Sequence, residues 1–165
     1  MNTIELCWTS GLAATEKHPL LQTVSAWLEA EPHSKTKTTA ELADLSFGMF
    51  ATQTQSGVER LLGFGALSRL DGCSWELSSV VVDPEQRGTG IGSFIVSQLR
   101  EFFFEYGEPT FGDLCLVCQP SLEQYYAMLG FGTVSAACPS LNAPLKQKAE
   151  YAAADSKVFM LAIAI

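Results

Sequence analysis

Residues 80–93 have the sequence VVVDPEQRGTGIGS, and this stretch decides the fold. The apolar run ends at Asp83-Pro84, where proline stops a strand because it cannot donate a ladder hydrogen bond. Glycines follow at positions 88, 90 and 92, and apolar residues then recur every three or four positions as far as Tyr106. That spacing predicts a long amphipathic helix. The stretch is therefore a strand, a glycine-rich turn and the start of a helix.

A turn of this kind suits a phosphate group. Backbone N–H groups at a helix start lack partners within the helix, and the helix dipole adds positive charge at the same place. Glycines leave those amides accessible and permit positive φ angles. Arg87 supplies a cation that can pair with phosphate oxygens. The sequence thus predicts a phosphate site at this turn.

Other glycine motifs fit less well. A P-loop requires G-x-x-x-x-G-K-[ST], and no lysine follows the glycines here. A dinucleotide fingerprint requires G-x-G-x-x-G at the start of a βαβ series, whereas this G-x-G-x-G follows predicted antiparallel strands. A purely structural turn is a further alternative, although three alternating glycines at a helix start are costly without a ligand.

Hydrophobic periodicity around this stretch predicts one α+β domain over residues 1–165. The expected sheet is mixed, mostly antiparallel, with about six to seven strands flanked by helices. Gln124 is three residues after Ser121, which predicts a capping box, and Gly130 is expected to end that short helix. The predicted strands are 3–8, 47–55, 60–70, 73–82, 110–118, 131–137 and 158–165, with a hairpin turn at Asp71-Gly72 and helices near 20–28, 40–45, 91–106 and 121–129. A loop with one helical segment is expected at 138–156.

Charge and cysteine content exclude several classes of protein. A net charge of −8 argues against binding nucleic acid or an anionic membrane surface. Five cysteines without a signal peptide favour reduced thiols and a cytoplasmic location. Cys115 and Cys118 match C-x-x-C, but residues three apart in a strand point to opposite faces, and no second pair completes a metal site. His18 and His33 are isolated, and no metal is expected.

Two sequence motifs, in the same order along the chain, resemble those of the GNAT N-acetyltransferase superfamily. Arg87–Gly92 fits its [QR]-x-x-G-x-[GA] motif, and Tyr126 stands four residues before Gly130-Phe131, like the second signature of the family. The resemblance covers roughly residues 47–137 and implies the acyl-CoA N-acyltransferase fold. It also implies transfer of an acetyl group from acetyl-CoA to an amine.

The resemblance implies how the co-substrate would bind. Backbone amides of Gly88–Ser93 would hold the coenzyme A pyrophosphate, and the main chain of Val80–Val82 would pair with the pantetheine arm, as a peptide adds to a sheet edge. Many relatives have Asn where this chain has Gln119, which keeps the amide group but differs in reach. The expected cofactor-binding residues are Val80, Val81, Val82, Arg87, Gly88, Thr89, Gly90, Ile91, Gly92, Ser93 and Gln119.

Amide formation from a thioester needs a neutral amine, a donor for the oxyanion and a proton for the leaving thiolate. Tyr126 matches the general-acid tyrosine of the family, with Tyr125 as the fallback. Glu76 is a candidate base or water-holding residue, and equally a solvent-facing residue on an edge strand. The N–H of Val81 or Val82 is the implied oxyanion donor.

The acceptor is not specified by any motif. It is expected to be a primary amine on a small molecule, a peptide N-terminus or a lysine, contacted by residues 15–46 and 138–156. One alternative is a non-catalytic module that binds or senses acyl-CoA, and another is an interaction domain with a decayed site. Family analogy also allows a homodimer.

Overall fold

Seven strands form one sheet in the order β1-β2-β3-β4-β5-β7-β6. The computed structural model describes residues 3–32, 34–70, 74–106 and 113–163. The strands are β1 Ile4–Trp8, β2 Phe47–Gln55, β3 Val58–Arg69, β4 Trp75–Val82, β5 Leu114–Cys118, β6 Phe131–Thr133 and β7 Val158–Ala162. The helices are α1 Ala14–Ala30, α2 Thr39–Ala43, α3 Ile91–Tyr106, α4 Glu123–Met128 and α5 Ala143–Ala154.

The sheet is mixed, as the sequence predicts. β4 and β5 pair in parallel, with Trp75 opposite Leu114 and Glu76 opposite Cys115. The β1–β2, β2–β3, β5–β7 and β6–β7 pairs are antiparallel. The prediction of a mixed, mostly antiparallel sheet with flanking helices is confirmed.

The chain divides into two compact units. The first contains Met1–Ser68 and Ser78–Leu99, and the second contains Arg69–Leu77 and Arg100–Ile165. Strand β4 and helix α3 each contribute residues to both units. The assignment of residues 1–165 to a single domain stays a prediction.

The first unit is built around the apolar face of α1. Leu21, Val24 and Leu28 are each at most 1% exposed and pack with Leu42 of α2. The same cluster includes Phe50 and Phe64 on neighbouring strands, whose ring centroids are 5.3 Å apart. Burial of an aliphatic side chain of this size contributes about 1.5 to 3 kcal/mol. The face of α1 thus fixes the helix against the strands that lead to the glycine turn.

Two glycines in β3 allow α3 to pack closely on the first unit. A Cβ added at Gly63 would lie 2.8 Å from Cδ1 of Ile95, and one added at Gly65 would lie 2.7 Å from its Cγ2. Real Cβ atoms essentially never approach other heavy atoms so closely, so an alanine at either position would require the Ile95 side chain or the helix to shift. These glycines therefore allow the start of α3 to lie close to β3.

The second unit has its own apolar cluster. Leu145, Ala149 and Ala152 of α5 pack against Cys115 and Phe159, which lie on neighbouring strands. The Asn142 side chain caps α5 by accepting a hydrogen bond from the Leu145 amide. The helical segment expected within residues 138–156 is this helix, which is 12 residues long and takes up most of that range.

The other differences concern element boundaries. The predicted capping box at Ser121 is wrong, because Pro120–Leu122 forms a 3₁₀ turn and α4 begins at Glu123 without a side-chain cap. Strand β6 is three residues long and stops at Thr133, short of the predicted Ala137. The predicted Asp71-Gly72 hairpin turn lies outside the described residues. Within those residues, no helix has both the length and the apolarity needed to cross a membrane.

Candidate active site

The glycine turn has the backbone conformation that the sequence predicts. Gly88 and Gly90 have φ angles of +77° and +87°, which L-residues rarely adopt. An added Cβ at either position would meet no atom within 4 Å. Glycine is therefore required here by the backbone angle and not by protein packing, and the space beside the turn is open. An open, positively polarised turn fits an anionic group such as a pyrophosphate.

Helix α3 begins directly after this turn. Its first hydrogen bond runs from the Phe94 amide to the Gly90 carbonyl at 3.0 Å, so the amides of Ile91 and Gly92 precede the intrahelical ladder. The Ile91 side chain is only 4% exposed, so only its main chain is available to a ligand. Thr89 donates its hydroxyl to the Gln86 carbonyl at 2.5 Å, which tightens the turn.

A network of ion pairs stabilises the segment between β4 and the glycine turn. Arg60 of β3 donates to the buried Asp83 carboxylate at 2.8 Å and to Glu85 at 2.7 Å. Asp83 also accepts from the Glu85 amide, and its own amide donates to the Leu62 carbonyl. Arg60 was not singled out by the sequence, because a lone arginine in a strand carries no motif.

Arg87, predicted to contact phosphate, is bound to another side chain here. Its guanidinium forms an ion pair with Glu31, the residue that caps the C-terminal end of α1. The Arg87 side chain is 53% exposed, so solvent reaches the pair and its strength is modest. A phosphate at the turn would compete with Glu31 for the same guanidinium.

The predicted pantetheine strand follows an unusual residue. Val80–Val82 lie beyond the last residue pair that β4 makes with β5. Immediately before them, Ser79 has a φ of +57° inside the strand. A left-handed residue in a strand is typical of a β-bulge. Val81 packs into the core of the first unit and is 4% exposed, so its main chain is the part that a ligand could reach.

Tyr126 lies on α4 in the second unit, with its ring packed between aromatic neighbours. Ring centroids are 5.0 Å from Tyr125 and 6.1 Å from Phe131, both edge-on. Burial raises the pKa of the Tyr126 phenol, and Tyr125 and Cys118 add smaller effects in the same direction. Its hydroxyl has no hydrogen-bond partner among the described residues. The phenol is therefore a protonated donor that no described group holds.

Gly130 explains the spacing of the second motif. It has a φ of +95° and turns the chain from α4 into β6, which brings Phe131 under the Tyr126 ring. A Cβ on Gly130 would lie 2.7 Å from Nε of Arg100 on α3. Arg100 also donates to the Ile163 carbonyl, and the Ile163 amide donates to the Gly130 carbonyl at 2.8 Å. Position 130 therefore favours glycine because of its backbone angle, and a larger residue would also displace the Arg100 guanidinium.

Glu76 forms an ion pair with a lysine of α5. Its Oε2 lies 2.8 Å from Nζ of Lys148, and the Glu76 side chain is 17% exposed. Glu76 is therefore a partly buried, paired carboxylate and not a solvent-facing one. Its role as a base stays a prediction. Gln119 lies just after β5, and its main-chain carbonyl accepts a hydrogen bond from the Leu122 amide. Its contact with the pantetheine arm also stays a prediction.

The described cysteines differ in environment. Burial raises the pKa of Cys115 to about 12 and that of Cys118 to about 11. Cys138 lies in an open depression on the surface of the second unit, and its Sγ is 3.1 Å from the Ser140 hydroxyl. Hydrogen bonds from Ser140 lower the pKa of Cys138. No cluster of three or more His, Cys, Asp or Glu in the described residues could hold a metal ion.

A family model described as the acetyltransferase (GNAT) family matches residues 14–131. The chain therefore belongs to the GNAT family, as the two sequence motifs indicate. A search of curated proteins gives no match.

Solved structures share the fold at low sequence identity. Rv2747 from Mycobacterium tuberculosis in complex with CoA and NLQ has a TM-score of 0.67 at 17% identity, with 99% of each chain covered. Escherichia coli ElaA has a TM-score of 0.64 at 15% identity, covering 99% of this chain and 100% of its own. N-acetylglutamate synthase from Neisseria gonorrhoeae complexed with coenzyme A and N-acetyl-glutamate has a TM-score of 0.67 at 16% identity. That match covers 97% of this chain and 35% of the synthase, so the chain spans about a third of the synthase.

Family membership supports acyl-CoA-dependent N-acyltransferase activity. The family match ends at the residue after Gly130 and includes both motifs. Two residues that the sequence did not single out also bear on the site, namely Glu31 through its ion pair with Arg87 and Arg60 through its ion pair with Asp83. Each acts through a contact far along the chain, for which no local pattern exists.

Proposed function

We propose that this protein transfers an acetyl group from acetyl-CoA to a primary amine by direct attack within a ternary complex. The observation that carries the proposal is the glycine turn, where Gly88 and Gly90 adopt positive φ and leave the space before α3 open. Solved structures of this fold contain coenzyme A. A phosphate-binding turn in a GNAT chain is best explained by that co-substrate.

The main chain of the first unit would bind the donor. Amides from Gly88 to Ser93 would hold the pyrophosphate, and Arg87 would exchange Glu31 for a phosphate oxygen. The main chain of Val80–Val82 would pair with the pantetheine arm. The N–H of Val81 or Val82 would donate to the oxyanion that forms at the thioester carbonyl.

Two side chains would carry out proton transfer, Glu76 and Tyr126. An alkylamine has a pKa near about 10.4, so at neutral pH it must lose a proton before it attacks. Glu76, or a water that it holds, would accept that proton before the nitrogen attacks the thioester carbonyl. Tyr126 would donate its phenolic proton to the thiolate sulfur as the C–S bond breaks. As the tetrahedral intermediate collapses, the nitrogen would lose its second proton to the tyrosinate, which restores the phenol and leaves an amide and a free thiol as products.

The experiment is thiol release from acetyl-CoA across a panel of amino acids, peptide N-termini, lysine peptides and small amines. The names of similar structures do not select among these, since they include N-acetylglutamate synthase and the ribosomal-protein-S18-alanine N-acetyltransferase of Escherichia coli. We expect release above background with at least one class. Tight coenzyme A binding by calorimetry without release would instead identify a non-catalytic acyl-CoA module.

Gly90→Ala is expected to weaken coenzyme A binding about tenfold, since an L-residue resists this φ by about 1 to 2 kcal/mol and the turn must distort. The matched control is Gly57→Ala in the β2–β3 turn. Gly57 has a φ of +77° and nothing within 4 Å of an added Cβ, so it carries the same strain. Both variants should lose similar stability, but only the first should lose affinity. Equal affinity losses would remove the turn from the binding site.

Glu76→Gln is expected to slow turnover about 100-fold at neutral pH if the carboxylate or its water accepts the amine proton. Lys148→Met is the control, because it breaks the same ion pair and leaves the carboxylate in place. The control should keep most of its turnover and lose about 1 kcal/mol of stability. If both variants slow turnover equally, Glu76 acts through the ion pair and not as a base.

A further inference from the structure

Ser79 is held in a conformation that serine rarely adopts. Its φ of +57° lies in the left-handed region, within a strand and in a residue that has a Cβ. Such a residue persists only when its surroundings hold it there, and it is typical of functional sites. Ser79 immediately precedes Val80–Val82, so its backbone angles set the direction of the next amides and carbonyls.

The Ser79 side chain is bound by Lys37. The Lys37 ammonium donates to the Ser79 hydroxyl at 2.5 Å across 42 residues of sequence. All the residues concerned lie in the first unit. This hydrogen bond acts directly on the side chain of the strained residue.

Lys37 is itself fixed in the connection between α1 and α2. Its carbonyl accepts from the Ser25 hydroxyl of α1 at 2.6 Å. The next residue, Thr38, caps α2 through a capping box with Glu41. The ammonium is therefore presented from an ordered segment, and it can resist rotation of Ser79 out of the left-handed region.

We propose that Lys37 is a positioning residue, which holds Ser79 left-handed and thereby orients the main chain of Val80–Val82 toward the pantetheine arm. This inference rests on the proposed function, because it takes that strand segment as the donor site. It also connects the segment expected to contact the acceptor with the strand expected to bind the donor.

A Ser79→Gly variant distinguishes support of the left-handed backbone at position 79 from any other role of Lys37. Glycine adopts positive φ without strain. In Ser79→Gly, β4 should therefore keep its direction without a hydrogen bond from Lys37. Lys37→Met removes the donor and keeps the length of the side chain, and Lys37→Arg keeps a donor. The experiment measures the dissociation constant of coenzyme A by calorimetry for these three variants and for Lys37→Met combined with Ser79→Gly.

We expect Lys37→Met to weaken coenzyme A binding about tenfold, and Lys37→Arg and Ser79→Gly each to stay within about threefold of wild type. Lys37→Met should have no further effect in the Ser79→Gly background. An equal loss in both backgrounds, or no loss in the Ser79 background, would overturn the inference.

Failure of the proposed function gives a different result, since wild-type protein would then bind no coenzyme A. In that case unfolding midpoints in denaturant test the Lys37–Ser79 contact itself. Lys37→Met should lower the midpoint in the Ser79 background and not in the Ser79→Gly background. Equal shifts of the midpoint in both backgrounds would show that the Lys37 hydrogen bond does not stabilise the backbone conformation of Ser79.

Discussion

Tyr126→Phe is expected to slow thiol release about 100-fold while coenzyme A affinity stays within about threefold of wild type. Phenylalanine keeps the ring contacts with Tyr125 and Phe131 and removes only the hydroxyl, which has no described partner to lose. The effect should therefore fall on turnover and not on stability. Stopped-flow thiol release and calorimetry measure the two quantities separately.

Two other tyrosine variants serve as comparisons. Tyr151→Phe on α5 removes a hydroxyl from a residue that is 64% exposed and should leave turnover unchanged. Tyr125→Phe tests the fallback. If Tyr125→Phe slows thiol release about 100-fold and Tyr126→Phe leaves it unchanged, Tyr125 is the general acid. Unchanged release in Tyr126→Phe removes Tyr126 from the mechanism.

The pH profile gives a second test of the same residue. Burial raises the pKa of Tyr126 above its ordinary value near 10, so the phenol stays protonated through the usual assay range. Turnover should rise as the acceptor amine loses its proton and should show no decline below about pH 10 from loss of this acid. A decline centred near pH 8 that is absent in Tyr126→Phe would contradict the raised pKa.

The second large effect is a loss of stability in alkali caused by the buried thiols. Burial raises the pKa of Cys115 to about 12 in the folded protein, from an ordinary value of 9.0. Between these values the unfolded chain releases a proton that the folded chain retains, so the free energy of unfolding falls as pH rises. Each pH unit within this window costs about 1.4 kcal/mol for one such group. Below pH 9 the contribution is fully present.

Cys118 acts in the same direction over a narrower window, because its pKa is about 11. Urea unfolding of the reduced protein at pH 8 and pH 10.5 should give a difference on the order of 2 to 4 kcal/mol for the two thiols together. Cys115→Ala is the control, and it should be less stable at pH 8 but lose less between the two pH values. Parallel curves for both proteins would show that Cys115 does not titrate as its burial requires.

The central unit of the fold could be predicted because its signals are local. Strand, glycine turn and helix follow one another within 27 residues of sequence, and the structure places α3 at the predicted bounds, Ile91–Tyr106. Gly130 was predicted to end the tyrosine helix and does so, with a φ of +95°. In each case the residue type itself limits the backbone.

Other features depend on contacts that no local pattern encodes. Ser79 is a common residue in strands, and its left-handed angle is explained by Lys37 from a distant segment. The pairing of Glu76 with Lys148 likewise depends on α5, which the sequence suggested only as one helical segment. Asn142 followed by Pro144 was a readable start signal for that helix, since Asn favours the cap and Pro the first turn.

The surface thiol of Cys138 has a practical consequence for measuring turnover. Its pKa is lowered by Ser140, whereas the pKa values of Cys7, Cys115 and Cys118 are raised. Reaction with an aromatic disulfide reagent proceeds through the thiolate, so Cys138 will consume that reagent faster than these three cysteines. In a continuous colorimetric assay the enzyme will therefore produce an early burst of absorbance that mimics product. Pre-reacting the protein with the reagent, or using Cys138→Ser, gives a flat baseline against which slow acetyl transfer becomes visible.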